Sequence, residues 1–455
     1  MILLTYLKSI YYKFDLNNQC YFMKKNYLII IMLFSLFAVN GQNNKIVKWI
    51  NENAIKIENT KPNTELLIFD SNIPNKFVNA KIFGFGEATH HGKEFFNIKA
   101  KFFKYLVKNH NVKTFIMEES FPSESGINEW ISGGKGDIKT IANNFSIGPW
   151  YCKEIVNLLK WMRDYNSNKN KDEQVYFYGM DIQYVKNINQ KIRDFVLKKE
   201  IPINEELLNT LDKCVNKKID YGKKSNWEEI QTPKLNEIEN VLIEYQKNSK
   251  NENNTEFNSA IRALNYLKKY TYYVQNNYSQ DRDLKMYENV KWIIENKSKN
   301  GKAFIWAHNE HINNNGFGNY SKRNVYNLGR HLKEFYKNKY YSIGFDFGAG
   351  IIPGIKVENG KLNGWKQFKF KKPFINTYAE TLFKSNIDIY FIDLNKALNS
   401  NIKSFFSRKN KQLTTGSSGY ESKKINLVNK KYSEMYDGLI FVKNLSISNS
   451  NLSVK

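Results

Sequence analysis

The sequence predicts an α/β fold: a largely parallel central sheet covered by helices, with a mostly helical insertion. Two observations carry this reading. Short apolar runs rich in Ile, Val, Phe and Tyr alternate with stretches of helical periodicity, and alternating strands and helices imply a parallel, helix-covered sheet. From about Val185 to Ser298 those runs disappear and only helical patterns continue.

In chain order the expected strands are Lys81–Phe85, Lys113–Met117, Val175–Met180, Lys302–Ala307, Tyr340–Phe345, Ile387–Ile392 and Gly438–Val442, each bounded by turn or polar residues. After the first, Phe95, Ile98, Phe102 and Leu106 recur at the spacing of a one-sided helix. Within the insertion, Phe257, Ile261, Leu264 and Leu267, then Met286, Val290 and Ile293, mark further helices. The polar run Asn248–Thr255 has almost nothing to bury and reads as a loop. Arg408–Lys424, which contains TTGSSG, reads as a mobile connection. The expected division is an upstream extension and signal peptide over 1–41 and an N-terminal part of the core over 42–184. A helical insertion or cap over 185–300 and a C-terminal part of the core over 301–455 complete it.

From Met23 the chain reads MKKNYLIIIMLFSLFAVNGQ, a basic pair, an apolar run and then small and polar residues, which is the grammar of a signal peptide. The run is shorter than the ~20 apolar residues of a membrane span. The expectation is export to the periplasm or medium, with no stable membrane insertion after cleavage near Gln42. Residues 1–22 fit neither a signal nor a domain, so Met23 is the expected start.

The 455 residues are 41% apolar and 25% charged, which excludes wholesale disorder. Lys and Arg number 69 against 44 Asp and Glu, a net +25. The lysines are dispersed among asparagines and form no basic block beside aromatic residues, so nucleic acid is not an expected partner. Three cysteines, Cys20, Cys152 and Cys214, offer no disulfide framework and no structural zinc spacing. Pairing of Cys152 with Cys214 is left open.

In open α/β sheets ligands bind beyond the carboxyl ends of the strands. There the sequence places Glu87, His90 and His91 in GEATHHG, Glu118 and Glu119, Asp181, His308 and His311 in HNEH, and Asp346. Four of the six histidines fall in two short segments, and convergent titratable groups mark the default site. Structural roles compete: Glu87 suits the start of a helix near Lys93, and Asp181 and Asp346 suit turns. His91, His110 and His331 read as packing residues. Trp130, Trp150 and Tyr151 lie near strand ends, where they would line an apolar cleft or pack in the core.

GFGEAT lacks the third glycine of a dinucleotide motif, the P-loop spacing is missed, and no GxSxG occurs. His308, His311, Glu87 and His90 would supply donors for a metal, yet HExxH is absent and no recognised ligand spacing occurs, so no metal or other cofactor is expected. General-base catalysis is the economical alternative: a histidine oriented by a carboxylate takes a proton from water attacking a carbonyl.

The order GEATHHGKEFF, FIMEES, WMRDYN, YGMDIQ, RDLKMYENVKW, WAHNEHI, LGRHL and YYSIGFDFG resembles the erythromycin esterase family over roughly Asn44 to Val442. The resemblance implies a hydrolase that opens the macrolactone ester of macrolide antibiotics, metal-independent or only weakly metal-linked. It implies His90 as base, Glu87 as its partner, His308 and His311 as the HNxH pair that polarises the carbonyl or protonates the leaving alkoxide, and Glu118 as the acid after the second strand. Antibiotic-degrading members carry an arginine where this chain has Lys99, and the two are not interchangeable at bidentate contacts. Lys99, Asp181 and Arg282 are the expected substrate-binding residues, with Lys99, Arg282 or the second histidine as oxyanion donors; for Arg282 a structural salt bridge across the insertion is the competing role. The expected partner is a small-molecule ester. Two other readings are carried: a non-catalytic binder of haem, metal or a hydrophobic ligand, and an enzyme acting on glycan or lipid esters of the cell envelope.

Overall fold

The computed structural model describes residues 43–121, 126–142, 145–217, 226–249, 255–276, 279–316, 325–358 and 361–448. The expected signal segment and residues 250–254 of the polar run lie outside them. The strands are β1 (Ile55–Lys56), β2 (Ile82–Phe85), β3 (Thr114–Ser120), β4 (Tyr176–Asp181), β5 (Ala303–Trp306), β6 (Tyr340–Glu358), β7 (Lys361–Phe370), β8 (Ile389–Asp393), β9 (Asn410–Leu413), β10 (Leu427–Lys430) and β11 (Gly438–Leu445). Every expected strand is present.

The main sheet runs β1-β8-β11-β6-β2-β5-β3-β4, with β7 paired to β6. From β11 to β4 all neighbours are parallel; β1, β7 and β8 join antiparallel. After β2 the chain moves outward to β3 and β4, returns to insert β5 beside β2, and then crosses to β6 on the other side. That reversal opens a crevice at the carboxyl ends of β2 and β5.

Alternation along the strands builds two cores. Phe83, Phe85, Phe115, Phe304 and Trp306 face one side, with Phe85 stacked on Phe304 at 4.7 Å and Phe115 on Phe304 at 5.6 Å. The helix Lys93–Asn109 covers this side through Phe95, Ile98, Phe102 and Leu106, all fully buried. Ile82, Ile116 and Ile305 face the other side, where Met286, Val290 and Ile293 of the helix Ser279–Lys297 pack. The helices Ile188–Lys198, Glu205–Asn216, Trp227–Asn248 and Thr255–Asn276 share a third core built on Ile192, Leu211, Leu235, Ile238 and Leu264. Among the described residues, the stretch between β4 and β5 therefore holds four helices with a core of their own and a fifth that belongs to the sheet.

Two expectations change. Arg408–Lys424 is not a loose connection: β9 pairs with β10, and Thr414 and Thr415 are buried. The partner strand lies beyond the segment, so its local polarity hid the pairing. The strand beginning at Tyr340 does not stop at Phe345 but continues to Glu358, paired first with β11 and then with β7. Cys152 and Cys214 are free thiols buried in different cores.

β3 gains one residue on β4 between Met117 and Ser120. Such a bulge re-aims side chains, and it sends the adjacent Glu118 and Glu119 to different partners. Gly179 lies opposite it, and a Cβ there would stand 2.4 Å from the Ser120 carbonyl oxygen and 2.6 Å from that of Glu119. Gly179→Ala is expected to cost about 1–3 kcal/mol by overpacking, read as a lower denaturant midpoint at unchanged slope.

Candidate active site

The loops after β2 and β5 are tied together by Asn309. Its backbone N–H donates to the Glu87 carbonyl at 2.9 Å. Its side chain donates to the Phe345 carbonyl at 2.7 Å and accepts from the Phe345 N–H at 3.0 Å. A Cβ at Gly86 would meet Asn309 Oδ1 at 2.2 Å, so glycine permits this approach.

Glu87 is fully buried and carries two partners. His90 Nδ1–H donates to Oε1 at 2.6 Å, and Lys99 Nζ donates to Oε2 at 2.5 Å. With its proton held on Nδ1, His90 keeps a lone pair on Nε2. The ring stands edge-on to Trp150 at 4.8 Å and 5.0 Å from the ring of His308. Lys99 lies 4.0 Å over the Trp306 ring. Burial lowers its pKa to about 8, against the opposing pull of Glu87 and then Glu118. Lys99 is fully buried and does not line the cleft, so it supports Glu87 and is not placed to touch substrate.

His308 caps the short helix Asn309–Ile312, its Nδ1 accepting the Glu310 N–H at 3.2 Å. Burial holds its pKa well below the usual histidine value. The neutral ring therefore carries its proton on Nε2, an atom that is buried and without a partner among the described residues. His311 has the opposite environment. Burial opposes its charge, but Asp283 at 2.8 Å and Glu118 at 3.1 Å outweigh this and raise its pKa to about 10.

Glu118 accepts from Arg282 at 3.0 Å and from the His308 N–H at 2.7 Å. Burial would raise its pKa, but His311, His90 and Arg282 hold it well below the usual range. Arg282 also forks onto Asp181 at 2.9 and 2.7 Å. Its Nη1 lies 3.1 Å from His311 Nε2, and since both are protonated the two cations share Glu118. Glu119 turns away and accepts the N–H groups of Ser120, Ser146 and Ile147; burial raises its pKa to about 7.

These groups open on a cleft of 680 Å³ lined by His90, Glu118, Arg282, His308, Glu310 and His311, with Thr414, Gly416, Ser417 and Ser418 forming another part of the wall. A second cavity of 940 Å³ against the helix Ile188–Lys198 shares Ser146, Gln183 and Tyr184 with it. Asp181 lies outside the lining and holds Arg282. Asp346 does not converge with the cluster; it sits within β6, where it accepts from Tyr432 at 2.8 Å and burial raises its pKa to about 7. Trp130 stacks on Arg163, away from the cleft, and Tyr151 does not line it. His91 reaches the Ser417 carbonyl at 2.9 Å, and burial lowers its pKa to about 4. His331 stacks on Tyr287 at 5.0 Å, and His110 is half-buried beside Tyr105. Sequence reading missed Asp283, adjacent to Arg282, and the buried ion pair of Glu310 with Lys430. Among the described residues no group of three or more His, Cys, Asp or Glu is placed to hold a metal ion.

The family model for erythromycin esterase matches residues 107–445. The chain belongs to the erythromycin esterase family. An erythromycin esterase type II from Escherichia coli is 24% identical over 327 residues, which is 64% of this chain and 75% of that protein. Three solved structures share the fold. A Bacillus cereus protein gives a TM-score of 0.75 at 24% identity, covering 90% of this chain and 99% of its own. A succinoglycan biosynthesis protein gives 0.73 at 23%, covering 89% and 98%. An erythromycin esterase mutant in its open conformation gives 0.64 at 15%, covering 89% and 99%. Membership of the erythromycin esterase family supports a hydrolase-type function.

Proposed function

We propose that this erythromycin esterase family member is an exported hydrolase that cleaves an ester with water activated by His90, and that it does so with protein groups alone. One observation carries the reading: Glu87 holds the Nδ1 proton of His90 at 2.6 Å, which leaves Nε2 free as a base on a cleft shared with His308. His90 Nε2 takes a proton from water as its oxygen attacks the carbonyl carbon. His308 Nε2–H donates to the oxygen that gains charge, and the cationic His311 and Arg282 add positive potential nearby. When the tetrahedral intermediate collapses, the proton on His90 passes to the leaving alkoxide.

A macrolide lactone is the first substrate to test. Incubation of residues 42–455 with erythromycin, followed by mass spectrometry, is expected to show the gain of one water, absent in His90→Ala. If folded wild type consumes no macrolide, the macrolide assignment fails. The neighbour named for succinoglycan biosynthesis favours a second substrate class with the same chemistry, an acyl ester on an envelope polysaccharide.

Lys99 adds a pH signature. Its pKa near 8 means that the cation on Glu87 is lost as pH rises past that value, so kcat should fall on an alkaline limb near pH 8. Lys99→Arg, whose guanidinium does not titrate there, should move that limb upward. Stability should respond with the other sign. A lysine whose folded pKa lies below its ordinary 10.5 binds its proton more weakly in the folded state, so its contribution improves between about pH 8 and 10.5. Melting wild type and Lys99→Arg across that range separates the two effects.

A further inference from the structure

The TTGSSG segment has no role in the chemistry above, yet it lies against the GEATHH loop. The Thr415 N–H donates to the Ala88 carbonyl at 2.8 Å, and Thr89 pairs with Thr415 as a parallel bridge. Paired residues face one side and their neighbours the other. This turns Thr89 and Thr415 away and puts Thr414 and Gly416 on the side of His90. The lining of the cleft agrees, since it includes His90, Thr414, Gly416, Ser417 and Ser418 but neither Thr89 nor Thr415.

Thr414 is fixed by two bonds to Asn426, its N–H donating to the Asn426 carbonyl and its carbonyl accepting from Nδ2, each at 2.9 Å. Its Oγ1 is buried and has no partner among the described residues, as is true of His308 Nε2 in the same cleft. A buried hydroxyl or ring N–H without a partner is costly, and two such atoms in one cleft point to a ligand oxygen. Beyond them the N–H groups of Gly416, Ser417 and Ser418 have no acceptor among the described residues. A Cβ added at Gly416 would meet nothing within 4 Å, so the glycine keeps open space at the cleft wall.

We propose that Thr414 and the Gly416–Ser418 strip form the oxygen-binding wall of the substrate cleft, with the Thr414 hydroxyl and His308 Nε2–H holding the ester carbonyl oxygen and the Gly416–Ser418 strip selecting an oxygen-rich ester. This rests on the hydrolase reading and assigns Thr414 a catalytic contact. As water adds to the carbonyl carbon, the C=O π pair moves onto that oxygen, where the two donors would share its charge.

The test uses glucose pentaacetate as the ester and 4-nitrophenyl methylphosphonate as a tetrahedral anion, with wild type, Thr414→Val, Thr414→Ser and Thr415→Val. The expected result is a ~100-fold loss of kcat/KM in Thr414→Val, mainly in kcat, restoration within a few-fold by Thr414→Ser, and no change in Thr415→Val. Phosphonate affinity should fall in parallel. Hydrolysis by wild type with equal rates in Thr414→Val overturns the assignment and leaves the hydrolase reading standing. Phosphonate binding that needs Thr414, without hydrolysis, supports the oxygen-binding wall and overturns the hydrolase reading. Neither binding nor hydrolysis by folded wild type overturns both.

Discussion

His90→Ala is expected to lower kcat by about 10²–10⁴-fold, the usual contribution of a positioned general base, with the protein still folded. The argument begins with Glu87, buried between Lys99 and His90. A carboxylate that accepts the Nδ1 proton fixes both the tautomer and the ring orientation, so the basic atom is Nε2. Trp150, edge-on at 4.8 Å, limits rotation of the ring out of that pose. Removing the imidazole leaves Glu87 its bond to Lys99, so no carboxylate is stranded and the loss of stability should stay within about 1–3 kcal/mol. Circular dichroism and the melting curve check the fold, and single-turnover kinetics check the chemistry. A mutant that keeps a tenth or more of wild-type kcat would place the base elsewhere. His91, adjacent in sequence, offers no substitute, because its Nε2 is engaged by the Ser417 carbonyl.

Much of this arrangement is legible in the chain. The strands announce themselves because buried parallel strands are continuous apolar runs, and Glu87, His90, Glu118, His308 and His311 stand immediately beyond or at their ends. What the sequence hides are relations between distant segments. Lys99 is expected at the substrate, and only the fold shows that its ammonium is buried on Glu87. Asp346 looks like the end of a strand because the apolar pattern stops at Phe345, yet pairing with β11 and β7 prolongs β6 and leaves Asp346 beside Tyr432. TTGSSG reads as slack polar chain, since nothing local shows that Thr415 pairs with Thr89. The bulge that separates Glu118 from Glu119 depends on the register with β4, which no periodicity encodes.

Arg282→Met should have the largest effect on stability, and it tests whether the fifth helix is bound to the sheet by charge as well as by Met286, Val290 and Ile293. Arg282 answers three groups at once: the two oxygens of Asp181, Oε1 of Glu118 and, through that carboxylate, the imidazolium of His311. Asp181, Glu118 and Asp283 are all essentially excluded from water. Methionine fills similar volume but leaves Asp181 and Glu118 with the single cation His311 among them, and removing one partner of a buried pair costs about 3–5 kcal/mol. Arg282→Lys should recover only part of this, because one ammonium cannot reproduce the fork on Asp181. The network also sets the pH range of that stability. Glu118 titrates below its ordinary range, so its contribution is present above that range and is lost as pH falls through the depressed native value. His311 is raised from 6.5 to about 10, so its contribution is complete below 6.5 and is lost as pH rises through about 10. Wild type should therefore exceed Arg282→Met in denaturant midpoint across the neutral range, with the gap narrowing in strong acid as Glu118 takes up its proton. A gap that stayed constant down to the acid transition would mean that Arg282 contributes packing alone, and that Glu118 is not held ionised by it.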